Sequence, residues 1–292
     1  MAKKSDLNFT LILVVIFISA VFSSSIVFAA LRFSPNLILG NQTNSDTVAN
    51  LDEEIEKGIE RFVKKQEEKY RKEQEAAQKA EENKKKDMPK IDKPSVELFV
   101  MSHCPFGTQI EKGMISVLET LGDKIDFELK FCDYVMHGEK EIDEQLKQHC
   151  LQKNNSDQFL PYLACFLKDG DSEACQKEVG INAQTLAQCV KEVDTEFKIK
   201  EKFVSKEDYK GQFPSFNIDK EANQKYGVRG SPSLVVNETS VSSGRDSASL
   251  LETICLGFKN PPEECQAELS STPPAAGFGF EGSGTNSEAS CG

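Results

Sequence analysis

The sequence predicts a mixed α/β fold with a helical insertion, and three stretches carry that prediction. Val96 to Met101 is a short apolar run that turns at Ser102-His103 into a helix reaching about Leu121, with Cys104 on its first turn. Asp126 to Cys132 alternates polar and apolar residues like a second strand. Ser231-Pro232 directly precedes a third apolar strand, after a long helical tract. Parallel strands joined through a helix make a right-handed crossover and end at one sheet edge, with neighbouring strands about 4.8 Å apart. That placement either puts Cys132 within reach of Cys104 or leaves it a buried strand residue or paired elsewhere.

Cys104 sits where a thiolate is favoured, because open backbone N–H groups and the positive end of the helix dipole face its sulfur. Pro105 suits the first helical turn, where its missing N–H had no partner to lose. Alone, Cys104-Pro-Phe-Gly107 fits equally a buried strand-end cysteine or half of a structural disulfide. Joined to Tyr226-Gly-Val-Arg-Gly-Ser-Pro-Ser-Leu-Val-Val-Asn237, it resembles the thioredoxin fold and, more narrowly, its DsbA-like branch. That resemblance implies a cis-proline loop at Pro232 packed beside a catalytic Cys104, with Ser231, Pro105 and Phe106 meeting the substrate. It implies thiol–disulfide exchange, in which sulfur carries the electrons and no organic cofactor is needed. One departure stands out: the superfamily's usual second cysteine is here Gly107. Either the protein works as a monothiol, or another cysteine such as Cys132 resolves its mixed disulfides, or a catalytically silent peptide- or protein-binding module remains.

Composition sets the frame. The 292 residues, 38% hydrophobic, leave room for one sizeable domain with appendages, and a formal net charge of −12 argues against a nucleic-acid partner. Residues 1–32 read as a cytoplasmic N-terminus and a transmembrane anchor, since Phe9 to Leu31 is almost unbroken apolar sequence behind Lys3-Lys4. The rival is a cleaved signal peptide ending near Ala29. Either way the domain is exported, and its partners are exported protein or peptide thiols and disulfides together with a redox partner in the membrane or among thiols. Residues 33–94 form a charged helical spacer and linker. Leu51, Ile55, Ile59 and Phe62 recur there at helical spacing, although a coiled coil needs more sustained heptads. Met88-Pro-Lys-Ile-Asp-Lys-Pro94 ends that helix. The domain proper covers 95–269, and 270–292, rich in Gly, Ser, Pro and Ala, reads as a disordered tail.

The insertion, about 137–209, carries Cys150, Cys165, Cys175 and Cys189. Four cysteines allow three pairings, and the chosen one joins Cys150 to Cys165 and Cys175 to Cys189 as staples between neighbouring helices. His137-Gly-Glu with Gln148-His149-Cys150 also resembles the gamma-interferon-inducible lysosomal thiol reductase family, over roughly 95–240. Cys255 and Cys265 bracket a turn-rich loop that a disulfide closes. No pair has the close Cys spacing of a zinc site, so no metal is expected. Nine cysteines in an exported chain leave at least one unpaired within it, and Cys291 is a candidate. His103 either tunes the thiol when protonated or caps its loop, and His149 reads as a surface residue. Asn237-Glu-Thr239 matches a glycosylation sequon.

Overall fold

The structure, a computed structural model, describes residues 45–280, with side chains from 57 onward. The apolar run at 9–31 and Cys291 lie outside the described residues. Among those described, no helix is long and apolar enough to cross a membrane. The chain divides into two units, Met1–Lys72 and Glu73–Gly292. Helix α1 (Ser45–Asp87) begins in the first, where Ile59, Phe62 and Tyr70 are half or more exposed. From Glu73 on, α1 belongs to the second unit, where Lys85 Nζ donates to Thr253 Oγ1 at 3.4 Å and Met88 is buried.

The second unit is built on a four-stranded sheet of order β2-β1-β3-β4, from β1 (Ser95–Val100), β2 (Asp126–Phe131), β3 (Ser233–Val236) and β4 (Thr239–Val241). β1 and β2 are parallel, while β3 runs antiparallel to both β1 and β4. Helix α2 (Pro105–Leu121) makes the crossover. It folds as a helix because Ile110, Met114, Val117 and Leu121 recur on one face, and that face is buried. The pairing of Val100 with Phe131 carries on through Cys132 N–H, which donates to Val100 O at 3.0 Å. Cys104 and Cys132 therefore emerge at one edge, as the crossover predicts.

The outer edge of β2 is covered by side chains. Gln152 pairs with both Leu129 N and Leu129 O, and Asp219 Oδ2 accepts Phe131 N–H at 2.9 Å, so the edge offers no open ladder to another strand. The β3–β4 hairpin turns on Asn237 and Glu238, both at positive φ. Asn237 is buried, and its side chain bonds Ser95 N, Pro89 O and Gly257 O, so the sequon reading is corrected: the amide is spent on structure.

Five insertion helices follow β2: α3 (Glu139–Asn154), α4 (Ser156–Asp169), α5 (Ser172–Val179), α6 (Ala183–Phe197) and α7 (Ile199–Ser205). Their disulfides are Cys150–Cys189 and Cys165–Cys175, which corrects the expected pairing. α3 packs on α6 across 39 residues of sequence, while α4 and α5 form a tight helical hairpin that brings cysteines ten residues apart together. Cys255–Cys265 forms as expected, just after helix α9 (Ser247–Cys255). Helix α8 (Lys220–Tyr226) leads into the proline loop. The part of the expected disordered tail that is described, 270–280, runs instead along α2 and α4 through main-chain hydrogen bonds.

Candidate active site

Cys104 is the cap residue of α2. Its backbone is extended, its N–H donates to Met101 O, and its carbonyl accepts the first helical bond from Thr108 N. The thiol donates to Ser231 O at 3.7 Å, directly ahead of the cis Ser231-Pro232 peptide bond. Ser231 is used twice, since its hydroxyl also accepts Met101 N–H at 2.9 Å. The two stretches singled out in the sequence thus meet. Cys104 itself is 1% exposed, in a small apolar cluster with Met101 and Cys132 that Phe106, Tyr134, Met136 and Val228 pack against.

Gly107 explains the departure from a two-cysteine motif. A Cβ there would stand 2.7 Å from Ser231 Oγ and 2.9 Å from Met101 O, closer than real Cβ contacts allow. A side chain there, cysteine included, would force Ser231 or the Met101 backbone to shift. Among the described residues, the cysteines outside disulfides are Cys104 and Cys132. Burial, with smaller contributions from the Cys104, Glu141 and Asp133 charges, pushes the Cys132 thiol far up, so it stays protonated.

The loop before Cys104 is held from the insertion. Gln145 accepts Ser102 N–H at 3.2 Å, and Glu141 accepts His103 N–H at 3.2 Å. Glu141 also accepts from Met136 N, His137 N and His137 Nδ1, the last at 2.7 Å, which joins the loops on either side of the site. Burial works to raise this carboxyl, but the bonds from His137 and from the Met136 and His137 backbone outweigh it and hold it below the ordinary glutamate value. His137 and Gln148, quoted for the lysosomal reductase likeness, serve internal bonds: His137 to Glu141, and Gln148 to Glu144 at 2.8 Å.

His103 is lowered to about 4, first by burial and then by the Lys140 charge. It is neutral at physiological pH, so tuning of the thiol by a protonated His103 is corrected. Its ring lies edge-on to Phe166 and Phe278, with centroids at 5.7 and 5.8 Å. His149, expected at the surface, is partly buried, and burial lowers it too.

Two groups escaped the sequence reading. Glu111 follows Cys104 by seven residues on the buried face of α2, and neither carboxyl oxygen has a hydrogen-bond partner in the protein. Burial first, then the Glu144 and Cys104 charges, push its carboxyl well above the ordinary glutamate value. The signal was there: positions 111, 115 and 118 lie on one helical stripe. The other is Arg245, whose guanidinium stacks on Phe106 at 4.5 Å while bonding Gln109 Oε1 at 3.0 Å. No group of His, Cys, Asp or Glu fit to hold a metal occurs among the described residues.

No known family model and no curated protein sequence matches the chain. Solved structures resemble its backbone. Oxidised BdbD from Bacillus subtilis is 18% identical with a TM-score of 0.40, over 58% of this chain and 91% of that one. Reduced DsbA from Mycobacterium tuberculosis is 16% identical with a TM-score of 0.41, over 59% and 85%. The thiol-disulfide exchange protein alpha-DsbA2 from Wolbachia pipientis is 14% identical with a TM-score of 0.38, over 60% and 91%.

Proposed function

We propose that the second unit is a thiol–disulfide oxidoreductase that acts on exported protein or peptide disulfides through Cys104 alone. The observation that carries this is the Cys104 thiol at a helix start, 3.7 Å from the Ser231 carbonyl of the proline loop. In the exchange, Cys104 thiolate attacks one sulfur of a substrate disulfide. A Cys104–substrate disulfide forms as the substrate S–S bond breaks, and the other substrate sulfur leaves as a thiolate. A second thiol then attacks the mixed disulfide, releases reduced substrate and is itself oxidised. Ser231, Pro105 and Phe106 line the approach, and Pro232 shapes the loop whose backbone pairs with the peptide. The protonated, buried Cys132 is a poor attacking group, which favours an outside thiol over Cys132 as resolver. The apolar run at 9–31 supports anchorage in a membrane with this unit on the extracytoplasmic side. Insulin-disulfide reduction by the purified chain, with dithiothreitol as the second thiol, tests the reading, and wild-type turnover no faster than Cys104→Ser turnover sinks it.

One observation favours a second reading, a silent peptide-binding module: the thiol is 1% exposed. Iodoacetamide labelling separates the two. Modification of Cys104 within minutes at mildly acidic pH supports exchange chemistry, whereas hours of resistance in the native chain support the binding module.

A further inference from the structure

The segment Pro274–Phe280 lies on the active-site helix like a bound peptide. It is held by six hydrogen bonds, every one to its main chain. Gln109 Nε2 donates to Pro274 O at 2.6 Å, and Lys112 Nζ donates to the carbonyls of Ala275, Gly277 and Gly279 at 2.5–2.7 Å. Gly277 N–H donates to Pro105 O and Gly279 N–H to Leu167 O, both at 2.9 Å. One side chain does the anchoring. The Phe278 ring packs against Phe166 at 5.2 Å and His103 at 5.8 Å, over Gly170. Gly277 and Gly279 sit at φ 79° and 95°, which only glycine adopts without strain.

We propose that this groove between α2 and α4 is a peptide-binding site for an extended Gly-aromatic-Gly segment, occupied here in cis by the chain's own residues 274–280. Backbone pairing with one aromatic anchor is a general mode of peptide capture. Lys112 fits that role closely. It is 3% exposed, and its ammonium is spent on three carbonyls of the segment.

The occupant also reaches the thiol. Pro274 holds Gln109, Gln109 holds Arg245, and Arg245 stacks on Phe106, one of the residues packed over Cys104. On the other flank, the Phe278 ring packs edge-on against His103. A docked segment therefore latches the cover of the site, and a competing peptide or a released segment loosens it. This second consequence rests on Cys104 as the exchanging thiol, whereas the peptide binding does not.

The test uses full-length chain. In Gly277→Val/Gly279→Val, the branched residues reject the positive φ and release the segment without touching the groove. A fluorescent peptide of the sequence Thr272–Phe280 is titrated by anisotropy into wild type and variant. The expected result is at least tenfold tighter binding to the variant, a tenfold loss when the peptide carries Phe278→Ala, and a similar loss when Lys112→Gln is added to the variant. Iodoacetamide should label Cys104 at least fivefold faster in the variant, with saturating peptide reversing the gain. A variant that melts like wild type but binds peptide no better overturns the site. Tighter binding with unchanged labelling keeps the site and overturns the latch. Anisotropy repeated in a Cys104→Ser background reports the groove whether or not the thiol is catalytic. Should the double variant fail to fold, Phe278→Ala in the full chain carries the same expectations for both readouts.

Discussion

Cys104 and Cys132 stand at the same sheet edge, are equally buried and share one apolar cluster, yet their surroundings differ. Cys104 begins a helix and faces a carbonyl of the proline loop, whereas Cys132 ends a strand where burial and the Cys104, Glu141 and Asp133 charges outweigh a backbone hydrogen bond and oppose its ionisation. Adjacency by itself makes neither thiol reactive. Local surroundings decide, because a thiolate needs donors or positive charge, and at the strand end burial outweighs the one backbone donor that Cys132 has.

The sharpest way to break that contrast is to remove each sulfur. Cys104→Ser is expected to lower insulin reduction by more than 100-fold. Its melt should lose only about 1 kcal/mol, since the serine hydroxyl can still donate to Ser231 O. Retained turnover in a folded mutant would move the chemistry elsewhere.

Gly107→Cys asks whether a local partner can be restored. Its Cβ meets both Ser231 Oγ and a backbone carbonyl, so the fold should lose about 1–3 kcal/mol. Ser231→Ala should recover only part of that loss, because Met101 O stays in place. A Gly107→Cys chain that melts like wild type, and whose introduced thiol is found by mass spectrometry in a disulfide with Cys104, would refute the steric account.

His103 tests the polarity of the loop. The folded protein holds it at about 4 against 6.5 when unfolded, so the unfolded chain binds its proton more readily. Its contribution is therefore full above pH 6.5 and is lost as pH falls through about 4. That amounts to about 1–3 kcal/mol after allowance for partial exposure. His103→Gln should flatten the stability profile over that window, as followed by urea melts at several pH values.

The smallest effect is expected from Cys132→Ser. Mixed disulfides on Cys104, trapped and resolved on non-reducing gels, should accumulate equally in mutant and wild type. Accumulation in the mutant alone would make Cys132 the resolving thiol after all.

Much of this was legible from residue order. The alternation of Asp126–Cys132, the apolar Val96–Met101 run, the helix start at Cys104 and the proline ahead of Ser233 are local signals, and local signals survive into the fold because strand and helix periods decide which side chains can share a face. The Cys255–Cys265 bridge was local as well. The pairing inside the insertion was not legible: Cys165–Cys175 is as short as Cys255–Cys265, but its choice over Cys150–Cys165 follows from α3 packing against α6, which pairs Cys150 with Cys189, and spacing along the chain carries no record of which helices touch. Gly107 read as a missing cysteine, but the crowding that favours glycine there comes from Met101 O together with Ser231, the latter far along the chain. Residues 270–280 read as a tail with nothing to bury, and in apolar mass that was nearly right. Besides the single Phe278 anchor, what holds them is carbonyl and amide geometry around Lys112, Pro105 and Leu167. Every residue carries those backbone groups, so composition and periodicity are blind to them, and only the tertiary structure decides which are met.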